Sequence, residues 1–548
     1  MSIRTRTIVL VWSLGAWGCG GPVDEASQGV GATKEALHEH EDDAGNKDWR
    51  TASYDETGSG NNTKENRLSR RNVGSLEVKW TFDTASAGEQ VAPIHATPVV
   101  ARGKTYVGSF GGTFYAIGED GDLRWKFQTG PTGSLLVPFF GPQSPIVGSA
   151  VLPDREATVV FGDSDGRIYK LDQETGELLW EVDLDAHDLG GVWGNSLSIA
   201  RNTVYVGLGS FEPSAPFFPG RTCCSHRGAV VALDLATGAT RWRFESIPES
   251  AQGPLPQALV DQLGGFETFG PSGGDVWSQP TLDDETNTLY VGTGQLFSRA
   301  ADGSGPPTHD AVIALDARTG TPKWVRHLSN NLDVFRFDIP FHDVATGNFY
   351  DKDVADQPKV YRLNGRKVVG AGQKNGEYHV LDARTGQVIA TTRHADMITG
   401  EGGLQSGGAI DGQTPFEHGT TTPTDPAAPF DGVVMALSGS GATEKWKIRI
   451  PGSSLYGGLA TANGVLYFQS PFEEPLASPG NPSTWALYAV DAGTGAVLKR
   501  LAFPGRAVNG PAVSRGRVYA GFGGAFVFGP ATPSPEGGVV CLGLPGGH

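Results

Sequence analysis

The chain has 548 residues, with 78 glycines, 36 prolines, 3 methionines and a formal net charge of −17. Glycine without a Gly-X-Y period excludes collagen, and 38% hydrophobic with 19% charged residues excludes a solvated disordered chain. An excess of 60 Asp and Glu over 43 Lys and Arg speaks against nucleic acid as a partner, because such binding rests on neutralising phosphates.

Arg4 and Arg6 precede the apolar run TIVLVWSLGAW, which is too short to span a bilayer and reads as a secretory signal over residues 1–18. Gly18 followed by Cys19 resembles a bacterial lipoprotein box, with Ala16 where leucine is usual and bulky Trp17 after it. Cys19 is therefore expected to carry lipid, and residues 19–43 read as an acidic tether in which His38 and His40 are solvated. These features predict an exported protein, periplasmic or in the outer membrane, attached to the membrane by its lipid anchor only.

From residue 44 to 548 one pattern recurs. It reads LDQETGELLW (171–180), LDLATGATRW (233–242) and LDARTGTPKW (315–324), with weaker copies at 116–125, 381–390, 437–446 and 490–499. Asp and Thr side chains cap such a turn and Gly takes the position with φ above zero, so each copy predicts a hairpin. Upstream strands such as KTYVGSF (104–110), NTVYVGLGS (202–210) and NTLYVGTG (287–294) raise each unit to about four antiparallel strands, one propeller blade. Unit endings near 80, 125, 180, 242, 324, 390, 446 and 499 predict an all-β, eight-bladed β-propeller of four-stranded blades. The strand at 76–83 is expected to complete the last blade with chain from the C-terminus, and the tryptophans to pack between blades.

The unit A-x-D-x-x-T-G-x-x-x-W is similar to the tryptophan-docking motif of pyrroloquinoline quinone (PQQ) dehydrogenases. Longer stretches, CCSHRGAVVALDLATG and GPSGGDVWSQPTLDDETNTLYVGTG among them, look closest to the polyvinyl alcohol dehydrogenase branch, over about residues 47–545. The resemblance implies PQQ on the propeller axis, a Ca²⁺ beside it, and oxidation of a secondary or polymeric alcohol by hydride transfer to the quinone. Trp277 matches the tryptophan under the flat quinone, and a planar cofactor needs such an apolar face. Cys223 and Cys224 match the vicinal disulfide that forms the opposite wall. Across a trans peptide their Cα atoms would be about 3.8 Å apart, below the usual disulfide span, so the bridge would be strained, rigid and reducible.

Glu212 and Gln295 fall where the family places a carboxylate and an asparagine ligand of the metal, and Asp351 where it places the catalytic carboxylate, which also ligates the metal. A second line-up puts Arg336 at that place and leaves no base. Lys374 matches the cation at the quinone oxygens, where positive charge stabilises the reduced ring. Asp353 is read as a hairpin cap, and His327, His342 and His394 as loop residues whose spacing makes no metal template. No CxxCH is present, so no c-type haem is expected, and electrons would leave to a separate cytochrome or other carrier.

Three positions depart from the family. Gly148 stands where an arginine reaches the cofactor, Trp193 replaces a cofactor-binding threonine, and Gln295 is one methylene longer than asparagine. These departures support an alternative, a propeller that has lost PQQ and serves as a cell-envelope binding scaffold.

Overall fold

The structure is a computed structural model that describes residues 48–88, 92–132, 142–184, 189–213, 222–329, 333–334, 342–343, 348–349, 351–395, 403–404, 406–422, 424, 431–453, 455–471, 484–523 and 537–546. The chain divides into Met1–Asp43 and Ala44–His548. The leader, Cys19, His38, His40 and Arg336 lie outside the described residues. Among the described residues no helix is long and apolar enough to cross a membrane.

The hairpin of strands Ala229–Asp234 and Thr240–Glu245 shows how the repeat folds. Asp234 accepts the N–H groups of Ala236 and Thr237 and the Thr237 hydroxyl, each at 3.0 Å. Gly238 then takes a φ of +73°, where a side chain would be strained. Its missing Cβ also leaves room for the ring of Trp180 from the preceding blade.

That contact is the lock between blades. Trp180 Nε1 donates to the Leu235 carbonyl at 3.0 Å, and Trp80, Trp125, Trp242, Trp324 and Trp446 reach carbonyls of the next blade at 2.9 to 3.1 Å. The repeats ending at Ala390 and Lys499 carry another residue where the others end in tryptophan. In the latter, Lys499 Nζ donates to the Gly74 carbonyl at 3.1 Å instead.

Among the described residues the eight units form eight antiparallel blade sheets in a ring, beside three two-stranded sheets. Glu77–Asp83 pairs with Gly538–Gly543, so the first strand closes the last blade as its sequence position implied. Innermost strands such as Val99–Ala101 are wholly buried, whereas outermost ones such as Leu123–Gln128 alternate. The blade core is therefore packed on both faces, and the rim is half solvated.

Strand order also assigns loops to faces. In an antiparallel blade the segment before the first strand and the loop from the second to the third lie at one end of the ring. The Asp-Thr-Gly hairpins lie at the other. Gly148, Trp193, Trp277 and Asp351 precede first strands, while Glu212, Cys223, Gln295 and Lys374 follow second strands. One face thus gathers every described site residue.

Candidate active site

Three segments are stitched together under this face. The loop after Thr203–Ser210 carries Glu212 and the cysteines, the segment 270–277 carries Trp277, and the segment after Thr288–Gly292 carries Gln295. Gly273 N donates to the His226 carbonyl at 2.9 Å, and Gly274 N to the Gln295 carbonyl at 2.8 Å. Cys223 Sγ lies 3.6 Å from the Phe297 carbonyl, in the short strand Leu296–Ser298 that directly follows Gln295.

The Cys223 and Cys224 sulfurs are in bonding contact, and the peptide between the residues is cis with Cα atoms 3.1 Å apart. The trans spacing assumed from sequence is corrected by this geometry. Both cysteines are buried and pack with Phe297 and Phe266. Cys541 is a buried thiol.

Glu212 is fully engaged at the cysteine loop. Its carboxylate accepts Ser225 N at 2.7 and 2.9 Å and His226 N at 2.8 Å. Among the described residues it does not join Asp351 and Asp353 in a group tight enough to share an ion.

Asp351, Asp353, Gln295 and Lys374 do come together. Lys374 Nζ lies 3.1 Å from Asp351 Oδ2 and 2.6 Å from Asp353 Oδ2. Gln295 N donates to Asp353 Oδ1 at 2.6 Å, and its side-chain amide, turned with nitrogen inward, donates to Asp351 Oδ1 at 3.0 Å and Asp353 Oδ1 at 3.2 Å. Lysine and glutamine therefore hold opposite oxygens of one carboxylate pair. Asp353 is not a hairpin cap; it is an ion-pair partner of Lys374. Burial pushes the Asp351 carboxyl up to about 7, with Lys374 opposing and Asp353 adding to the shift. Burial lowers the Lys374 ammonium, but the two carboxylates more than reverse this, and its value ends above the usual lysine range.

Lys374 Nζ also lies 5.2 Å from the centre of the Trp277 ring, within cation–π range. Trp193 packs on Phe211 with ring centres 4.7 Å apart and donates Nε1 to the Leu189 carbonyl at 3.2 Å. A Cβ at Gly148 would strike the Gly194 carbonyl, and one at Gly194 the Trp277 carbonyl. The backbones of three consecutive first-strand segments are in direct contact there.

Sequence reasoning missed Asp310 and Asp333. Both are buried and held well above the usual carboxylate range, by burial first and then by neighbouring carboxylates. Asp333 Oδ2 accepts Lys352 N at 2.6 Å, which fixes the segment bearing Asp351. His327 ends the strand Pro322–His327 rather than lying in a loop, and His394 follows a strand with Nε2 2.7 Å from the Gly441 carbonyl. His342 belongs to a two-residue strand.

Whether the residues fit the implied group is answered by their chemistry. The indole face of Trp277 beside the Lys374 ammonium suits a flat anionic quinone. A half-turn of the Gln295 amide would present its oxygen, with Asp351 Oδ1 and Asp353 Oδ1, as a hard all-oxygen set of the kind that holds Ca²⁺. The pieces fit, with Gln295 and Asp353 in the place that sequence gave partly to Glu212.

Ring and site together define a tryptophan-docked, eight-bladed propeller of the quinoprotein type. Two family models match in succession: "Outer membrane protein assembly factor BamB" over residues 10–253 and "Glucose/ethanol/alcohol dehydrogenase, beta-propeller domain" over residues 214–401. The chain is similar to PQQ-dependent alcohol dehydrogenases over much of its length. A polyvinylalcohol dehydrogenase of Sphingopyxis sp. (strain 113P3) is 26% identical over 364 residues, covering 62% of this chain and 49% of the relative. The dehydrogenase subunit of a quinone-type alcohol dehydrogenase of Gluconacetobacter polyoxogenes is 27% identical over 397 residues, covering 67% and 48%. The chain spans about half the length of the curated relatives it matches. In fold it is similar to a europium-containing methanol dehydrogenase (TM-score 0.66, 17% identity, 93% of this chain and 100% of that one). It is likewise similar to a quinohemoprotein alcohol dehydrogenase of Pseudomonas putida HK5 (TM-score 0.65, 17% identity, 92% and 81%).

Proposed function

We propose that the protein oxidises a secondary or polymeric alcohol with PQQ as its resident oxidant and Ca²⁺ beside it. The observation that carries this reading is the convergence of Asp351, Lys374 and Trp277 on one face of the ring. When bound, PQQ supplies an electrophilic quinone able to accept hydride from the carbinol carbon. Trp277 would supply a flat apolar surface for that ring, and the Cys223–Cys224 pair, as a vicinal disulfide, an opposing wall. Lys374 places a fixed positive charge where negative charge develops on reduction. Asp351 takes the hydroxyl proton, leaving a ketone, and its raised proton affinity suits a general base working near neutral pH. Asp351 and Gln295, joined by Asp353, are the proposed Ca²⁺ ligands, while Glu212 fastens the cysteine loop.

A cytochrome or other carrier is the proposed electron acceptor. Export and a lipid on Cys19 are part of the same proposal, motivated by Arg4, Arg6 and the apolar run before Gly18-Cys19. Intact-mass analysis of the membrane fraction tests the lipid.

Reconstitution of the purified full chain with PQQ and Ca²⁺, followed by dye-linked oxidation of primary, secondary and polymeric alcohols, tests the activity. Turnover with a secondary or polymeric alcohol is expected. Absence of both cofactor absorbance and turnover would leave the second reading, an envelope scaffold, which is favoured by one observation: Gly148 has no room for an arginine without displacing Gly194.

A further inference from the structure

We propose that His309, Asp310 and His327 form a binding site for one divalent transition-metal ion of the zinc type, separate from the cofactor site. His309 and Asp310 immediately precede the strand Ala311–Asp316, and His327 ends its neighbour Pro322–His327. Antiparallel register sets Ala311 opposite His327, so residues eighteen apart in sequence meet at one blade end. One ligand atom from each lies within 4.8 Å of the other two.

The observation that points to a ligand is that all three carry buried polar atoms without a hydrogen-bond partner. These are His309 Nε2, Asp310 Oδ1 and His327 Nε2. Buried polar atoms left without a partner are costly, and three facing one another are relieved together by a single cation. The remaining atoms of two of them are already held. His309 Nδ1 is 2.5 Å from the Pro306 carbonyl, so it carries the proton and leaves the Nε2 lone pair facing the cluster. Asp310 Oδ2 accepts the Ser329 hydroxyl at 2.9 Å. A carbonyl held by one imidazole nitrogen orients the other nitrogen for a metal.

The donor set decides the metal. Two imidazoles with one carboxylate are softer than the all-oxygen sets preferred by Ca²⁺ and Mg²⁺, and they suit Zn²⁺ and its neighbours. The His327 residue is half-buried, although its Nε2 is buried. Asp310 N donates to the Gly294 carbonyl at 3.0 Å, so an ion here would brace the segment that carries Gln295.

The test uses the full chain, stripped with chelator, loaded with Zn²⁺ alone and dialysed, with metal content measured; Co²⁺ loading adds a visible d–d spectrum. Wild type is expected to retain one equivalent and to show low-coordinate Co²⁺ bands. His327→Gln, at a half-buried position, should lose both while keeping its circular dichroism, and His309→Ala should do the same. Asp351→Asn should keep both. Retention of no equivalent by wild type, or unchanged retention in His327→Gln, would overturn the site. Loss in Asp351→Asn as well would overturn its separateness from the cofactor site.

Discussion

Lys374 spans the ring of Trp277 and the carboxylate of Asp351, its ammonium 5.2 Å from the one centre and 3.1 Å from the other's Oδ2. A second carboxylate, Asp353, draws the same nitrogen to 2.6 Å. The lysine is therefore a fixed charge rather than a swinging one. Lys374→Ala leaves two buried carboxylates unopposed, and breaking a buried pair from one side costs about 3–5 kcal/mol. Denaturant unfolding should show a loss of that size; an unchanged midpoint would mean the lysine is not what neutralises the pair.

Asp351→Asn keeps the shape of the site and removes the proton acceptor. Dye-linked alcohol oxidation should fall by about 10²–10⁴-fold, the usual contribution of a positioned base. PQQ absorbance on titration should stay close to wild type, because Trp277 and Lys374 remain. Full turnover in this variant would move the base elsewhere, with Arg336 offering none.

Gly148→Ala is predicted to destabilise by about 1–3 kcal/mol, because its Cβ meets the Gly194 carbonyl and neither backbone can yield easily. Gly253→Ala, with open space around the added carbon, serves as the neutral comparison. Thermal unfolding of the two distinguishes them. The same contact implies that Gly148→Arg will not rebuild the missing cofactor contact but will lower stability further.

His379 is buried, with Nε2 2.8 Å from Gln373 Oε1 and Nδ1 2.9 Å from the Thr391 hydroxyl. Burial holds it down to about 4, against an ordinary value of 6.5, with Glu377 opposing. In the window between these values the unfolded chain binds the proton and the folded chain does not. Stability is therefore lost as pH falls from about 6.5 toward 4. His379→Gln should lose less stability than wild type across that window, a shallower slope by about one proton in pH-dependent denaturation. Parallel curves would refute this assignment.

Much of the ring was readable because each unit repeats its own instructions. Asp234, Thr237 and Gly238 act within a few residues of one another, and the Trp180 lock recurs with a fixed offset. Trp277, the cysteine pair, Asp351 and Lys374 were legible only through the family resemblance, and the blade order then puts them on one face. What spacing could not supply was contact between segments distant along the chain. The function of Asp353 depends on Lys374, in the loop after the strand Arg366–Gly372, and the partners of Glu212 lie on the loop that folds back over it. His309 and His327 looked unrelated along the chain; only the register of Ala311 against His327 joins them. That register was within reach of the sequence, because the hairpin turn at 316–320 fixes which residues face each other on either side of it.

The pairing of Glu77–Asp83 with Gly538–Gly543 has a consequence for synthesis. During translation the first strand leaves the ribosome with no partner to receive it, and it must wait for more than four hundred further residues. Until then the nascent protein is an open arc with a free strand edge at each tip, the kind of edge that invites association with other chains. The last strand acts as a clasp, so a chain stopped anywhere before residue 538 would emerge as an unclosed arc, which makes the final few residues decisive for the solubility of all the others.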